Sequence, residues 1–98
     1  MEGTWHLYVV RTVDDSLYAG ITTDVQRRFR EHAAQGPRTA GYLRAHRPMA
    51  LAFSIPVGGK ALALKVEYHF KRLAKRDKER IVREQHLGFD GECGRILR

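Results

Sequence analysis

Alternating and helical spacings of apolar residues divide the chain into a short series of elements. Trp5-His6-Leu7-Tyr8-Val9-Val10-Arg11-Thr12-Val13 is dominated by aromatic and β-branched residues, which predicts a strand. Asp14-Asp15-Ser16 is turn chemistry. Leu17-Tyr18-Ala19-Gly20-Ile21 returns as a second strand, so the first two elements make an antiparallel hairpin. Thr23-Asp24-Val25-Gln26 fits a capping box with Thr23 as the N-cap, and Val25, Phe29 and Ala33 then recur at helical spacing until Gly36-Pro37. A short second helix is expected between Arg38 and His46. Met49 to Val57 reads as a third strand with Pro56 near its end. After Gly58-Gly59 the period changes, and Leu62, Val66, Phe70 and Leu73 form one apolar stripe of a long helix. Lys75 to Gln85 follows as a further helix or a bent continuation. Gly88, Gly91 and Gly94 predict a loose tail with mobile last residues. The order ββα(α)βαα, with a three-stranded sheet that is at least partly antiparallel, predicts an α+β fold.

Composition narrows the class. The 98 residues suffice for one domain, with a core over about 5–84 and a tail over about 88–98. Apolar residues at 43% against charged residues at 30% describe a globular chain rather than a disordered one. No run of about 18 apolar residues exists to form a transmembrane helix. Met1-Glu2-Gly3-Thr4-Trp5-His6 lacks the basic head and apolar stretch of a secretory signal. Cys93 stands alone and cannot form an internal disulfide, which fits a reducing cytoplasm. The net charge is +7, of which residues 60–98 carry +5. Such a balance attracts polyanions, nucleic acid foremost. The same charges in Lys75-Arg76-Asp77-Lys78-Glu79-Arg80 are mixed in sign, as on a solvated helix face.

There is no phosphate-binding glycine loop, and His6, His32, His46, His69 and His86 show no metal-ligand spacing. Four polar residues, on four different elements, could converge instead: Tyr8 and Tyr18 on the two strands, Arg28 on the first helix and Glu67 on the long one. Arg28 and His32 share a helix face, offset from the apolar stripe. Each residue also has an ordinary explanation. Strand tyrosines pack with a wet hydroxyl, a helix arginine is solvated, Glu67 precedes Lys71 by four as a surface ion pair, and His32 near a helix end complements the dipole.

Leu7-Tyr8, then Tyr18-Ala19-Gly20, then Thr22-Thr23-Asp24-Val25-Gln26-Arg27-Arg28-Phe29-Arg30-Glu31-His32 together resemble the GIY-YIG nuclease domain. The likeness is closest to its small stand-alone bacterial branch, the YhbQ-like proteins, and spans about residues 5–84. The arginine ten residues after the second tyrosine and the later glutamate in a long helix carry it along with the half-motifs. The first half-motif lacks its leading glycine, Ala19 takes the middle of the second, and the chain has no Asn where homing-type members use one late in the domain.

The resemblance implies hydrolysis of phosphodiester bonds in DNA, with RNA as the other nucleic acid, and a place in DNA repair or processing. It implies Tyr8, Tyr18, Arg28 and His32 as catalytic residues, and Glu67 as the ligand of one divalent cation, Mg²⁺ or Mn²⁺. Arg27, Arg30 and Lys71 would contact nucleic acid. One carboxylate with waters and a phosphate oxygen is an ordinary Mg²⁺ shell. Arg28 would fork onto phosphate oxygens. Tyr8 is the candidate general base, its ordinary value of about 10 expected to fall beside Arg28 and the metal. Tyr18 and His32 would position water or relay the proton. Tyr8 and Tyr18 can share a sheet face only if paired positions sum to an even number, so an odd-length loop or a bulge is expected between Val10 and Tyr18. Two other functions compete: a nucleic-acid-binding module with weak or lost catalysis, which would bind salt-sensitively without metal, and a small protein whose basic helices meet an acidic partner.

Overall fold

The computed structural model describes residues 3–97. Its centre is a three-stranded sheet in the order β2-β1-β3, formed by β1 (Trp5–Thr12), β2 (Leu17–Thr22) and β3 (Pro48–Gly58). Both pairings are antiparallel, so the α+β reading holds and the sheet is antiparallel throughout. Tyr8 pairs with Gly20 and Val10 with Tyr18, an even sum. The odd-length loop that this parity requires is residues 13–15. Thr12 N–H donates to the Ser16 carbonyl at 3.0 Å, Asp15 N–H closes back on the Thr12 carbonyl at 3.1 Å, and Asp15 takes the left-handed conformation at φ 66°. A turn followed by one left-handed residue is a common three-residue hairpin connection. β3 pairs with β1 through a register shift: Val9 faces Phe53 but Val10 faces Leu51. The extra residue is Ala52, whose carbonyl accepts from the Gln85 side chain at 2.8 Å. Pro56 is tolerated because β3 is an edge.

Period-two alternation sorts the strand residues onto two faces, each covered by a different pair of helices. Leu7, Val9, Ala19 and Phe53 pack with Val66 and Phe70 of α3 (Lys60–Lys71) and Ile81 of α4 (Lys75–Glu84). Leu62 and Leu73 lie at the margin of this cluster, as their stripe predicts. The even face carries Tyr8, Val10 and Tyr18 against Val25 and Phe29 of α1 (Val25–Ala33) and Leu43 of α2 (Gly41–Ala45). α3 and α4 are separate helices.

Two expectations shift. The N-cap of α1 is Asp24, not Thr23: its carboxylate accepts from Arg27 N–H at 3.0 Å, and Thr22 Oγ1 in turn accepts from Asp24 N–H. An anionic cap also suits the positive end of the helix dipole. The glycine-spaced tail is also structured, because β4 (Gly88–Phe89) pairs with β5 (Ile96–Leu97). Gly94, at φ 74°, lies so close to α3 that a Cβ there would stand 2.8 Å from the Val66 nitrogen. Gly94 serves close approach rather than looseness. The final residue, Arg98, is outside the described residues. Among the described residues no helix is long and apolar enough to cross a membrane.

Candidate active site

The even face of the sheet builds the site. Tyr8, on the central strand, is 1% exposed, with its ring laid over Gly20 of the neighbouring strand. A Cβ at position 20 would stand 2.6 Å from Tyr8 Cζ and 2.9 Å from Cε2, so the glycine is required by the tyrosine beside it. Tyr18 lies diagonally across the same face, its ring centroid 6.5 Å from that of Tyr8.

α1 brings His32 and Arg28 over these rings. The apolar stripe predicts Ala33 as the last inward residue, but Ala33 is exposed and His32 is fully buried. Both lie one turn beyond Phe29, and the polar partners waiting below select His32. Its Nε2 is 2.8 Å from the Tyr8 hydroxyl, while its Nδ1 accepts from Ala40 N–H at 3.3 Å. Accepting at Nδ1 places the proton of the neutral ring on Nε2, which therefore donates to Tyr8 Oη. Burial, then the charge of Arg28, lowers the His32 pKa to about 4, so the ring is neutral at physiological pH. The dipole-complementing surface histidine is thereby overturned, and so is a relay of the Tyr8 proton through His32, because Nε2 already holds a hydrogen.

Arg28 is half-buried at the rim of the site. Its guanidinium pairs with Glu31 at 2.9 Å and donates to the Arg38 carbonyl at 2.7 Å. Glu31 is held below the usual carboxylate range by that partner. Glu67 approaches from the other helical layer. α3 covers the odd face, yet it lies beside edge strand β2, where Lys71 Nζ sits 5.2 Å from the centre of the Tyr18 ring. Glu67 and Lys71 form an ion pair at 3.2 Å, and the Glu67 side chain is 19% exposed. Opposite charges from the two layers thus act on one phenol: Arg28 lowers the Tyr8 pKa and Glu67 raises it. The net shift is the reverse of the expected one. Burial first, then Tyr18, push the Tyr8 pKa up to about 12 against the pull of Arg28.

Of the residues expected to contact nucleic acid, Arg27 and Arg30 are exposed on α1, and Lys71 is exposed against Tyr18. Sequence reasoning missed Tyr42, which stacks on Tyr18 with planes 20° apart. It also missed Gln35, whose side chain ties the His32 and Leu43 carbonyls together, and the Ala40 N–H that orients His32. An aromatic in a five-residue helix was the one available signal; a backbone N–H leaves none.

Among the described residues no three His, Cys, Asp or Glu gather as a metal cluster. The donor chemistry fits a hard cation held by Glu67 alone, with water and phosphate oxygens completing the shell, and does not fit a zinc site.

Residues 4–80 match the family model of the GIY-YIG catalytic domain. The chain belongs to this family. Its members are nucleases, so the chemistry is that of a phosphodiester hydrolase, the substrate class is nucleic acid, and a divalent metal is generally used. UPF0213 protein YhbQ of Escherichia coli strain IAI1 is 52% identical over 80 residues, which is 82% of this chain and 78% of that protein. A UPF0213 protein of Enterobacter sp. strain 638 is 58% identical over 78 residues, 80% of this chain and 74% of its own. The solution structure of UPF0213 protein BH0048 from Bacillus halodurans superposes with a TM-score of 0.53 at 34% identity, covering 84% of this chain and 85% of that one. Within the GIY-YIG family the chain is thus similar to the YhbQ-like UPF0213 proteins.

Proposed function

We propose that this GIY-YIG protein is a divalent-metal-dependent nuclease that hydrolyses phosphodiester bonds in DNA, in repair or processing, with the polar cluster around Tyr8. The observation that carries this reading is the cluster on the even face of the sheet: the buried Tyr8 hydroxyl 2.8 Å from His32 Nε2, Tyr18 with its ring 6.5 Å away, and the charged Arg28 and Glu67 near enough to act on the Tyr8 phenol.

Each side chain then has a task. Arg28 offers its fork to the phosphate oxygens and keeps its charge at any working pH. Glu67 exchanges Lys71 for Mg²⁺ or Mn²⁺. Bound there, the cation supplies Lewis-acid stabilisation of the charge that builds on the phosphate and the leaving oxygen. Lys71, Arg27 and Arg30 hold the flanking backbone. Tyr8 works as a neutral phenol, since a group near 12 is scarcely ionised at pH 7. His32 Nε2–H fills one lone pair of Oη and the Arg28 guanidinium faces the other, so Arg28 turning onto the phosphate frees that second lone pair and leaves the O–H for substrate. The attacking water gives its proton to that lone pair as Tyr8 passes its own proton to a phosphoryl oxygen, so no free phenolate is needed. Tyr18 orients the water.

Purified protein incubated with labelled DNA and Mg²⁺ or Mn²⁺ should cut it, and Tyr8→Phe should slow cutting by roughly 10²–10⁴-fold, the usual weight of proton-transfer catalysis. Arg28→Ala and Glu67→Ala should abolish measurable cleavage. Cleavage unaffected by these substitutions would overturn the proposal. Binding without cleavage on every DNA tried would leave a nucleic-acid-binding module instead.

A further inference from the structure

Beyond the proposed scissile site, Tyr18 borders a second hollow. It has a volume of about 340 Å³, opens at the free edge of β2, and has an apolar floor of Leu17, Ala19 and Phe70. Tyr18 and Tyr42 wall it, and Lys71 and Lys78 stand at its rim. That volume is at the small end of ligand sites, which run over roughly 300–1,000 Å³.

The Tyr42 ring is 41% exposed, an unusual placement for an aromatic that helps cover no core. It is nonetheless held in place. On one side it stacks on His46 at 4.2 Å, and His46 Nδ1 is in turn tied to the Asp14 carboxylate at 2.6 Å. The Tyr18 stack is the looser of the two, with centroids 5.7 Å apart against 4.2 Å for His46, and Tyr42 keeps its exposure where it lines the hollow. Fixing an exposed aromatic through a third and a fourth residue removes the entropy a ligand would otherwise have to freeze. Flat apolar walls match a planar heterocycle, and the two ammonium groups match the phosphates on either side of it.

Resting on the nuclease reading, we propose that this hollow is a nucleobase subsite: it takes the base of an unpaired nucleotide next to the phosphate held at Arg28, stacked against Tyr42. A base within a duplex has both faces covered by its neighbours and cannot enter. The subsite therefore sets a preference for single-stranded or frayed DNA at the nucleotide beside the cut.

The test is binding of the full chain in EDTA, so that no cutting intervenes, to a single-stranded DNA oligonucleotide carrying 2-aminopurine at successive positions and to a blunt duplex of the same sequence. Tyr42→Leu should bind the single strand about 5- to 100-fold more weakly, the range of one base–aromatic stack. Tyr42→Phe should bind like the parent, and duplex affinity should be unchanged in both. The parent should quench 2-aminopurine at one position, and Tyr42→Leu should not. Lys78→Glu, on another element, should weaken the same single-strand binding. Equal single-strand affinity and quenching in the parent and Tyr42→Leu would overturn the subsite while leaving the nuclease standing. So would an equal loss on single strand and duplex. A parent that binds neither DNA in EDTA would also overturn the subsite, and the cleavage assay with Mg²⁺ or Mn²⁺ would still decide the nuclease reading by itself.

Discussion

His32 shows how one side chain acquires a role through contacts far from it in sequence. Its ring is fully buried between a donor, Ala40 N–H, and an acceptor, Tyr8 Oη, and neither leaves room for a second proton on the ring. The stability consequence has a definite sign. In the unfolded chain the ring protonates near its ordinary value of 6.5; in the folded chain burial, then Arg28, holds it at about 4. Between those values the unfolded state binds a proton that the folded state refuses, so stability falls as pH drops from 6.5 to 4 and levels off below. The gap corresponds to at most about 3 kcal/mol. Several carboxylates also titrate in acid, but they do so in any variant. Urea unfolding at pH 7 and pH 4 should therefore show His32→Gln losing roughly 2–3 kcal/mol less than the parent. Parallel losses would mean that His32 is charged, or free, in the native state.

At the scale of the elements, the β1–β2 hairpin is the part that positions chemistry, and the seat of its central tyrosine rests on one glycine. Tyr8 is buried, bonded to His32 and laid over Gly20, so a methyl group at 20 must displace the ring. Gly20→Ala is expected to cost about 1–3 kcal/mol, the range for overpacking a core. Truncating the ring removes the clash, so in the Tyr8→Ala background the same substitution should be close to neutral. A double-mutant cycle by urea unfolding reads this as a coupling above about 1 kcal/mol, and simple additivity would refute it. The hairpin was legible because parity alone demanded an odd-length loop or a bulge once both tyrosines were placed on one face, and the structure takes the three-residue loop. The stripes of α1 and α3 were legible from their spacing, up to the point where the period is ambiguous. At 32 and 33 a histidine and an alanine compete for the inward direction, and the winner depends on Tyr8 and Ala40, which local pattern cannot see. The net Tyr8 shift was hidden likewise, because Arg28 is visible in sequence and depth of burial is not. The tail was misread because Gly94 looks the same whether it loosens a chain or lets it touch a helix backbone.

Over the whole molecule, two helical layers cover opposite faces of a thin sheet, and the proposed site needs both of them: α1 and α2 supply Arg28 and Tyr42, and α3 supplies Glu67. The relative placement of the layers therefore matters to function, and packing on the sheet is not its only determinant. Arg11 on β1 reaches Glu79 on α4 through two hydrogen bonds of 2.6 and 2.8 Å, with Asp15 at 3.2 Å as a further partner. Lys75 Nζ donates to the Asp15 carbonyl at 2.6 Å. The hairpin loop is thus tied to the start of α4 by charge. Glu79 is held below the usual carboxylate range by the hydrogen bonds from Arg11, so the pair persists further into acid than an ordinary glutamate would stay ionised. An exposed single pair would contribute little, but a forked guanidinium–carboxylate contact with both side chains about three-quarters covered is worth more. Arg11→Ala should lower stability by about 1 kcal/mol at low ionic strength. Salt screens the pair, with a Debye length near 3 Å at 1 M. In 1 M NaCl the parent and Arg11→Ala should therefore unfold closer together in urea than they do in 20 mM buffer. A difference that does not shrink would locate the effect in the packed stem of Arg11 rather than in its charge.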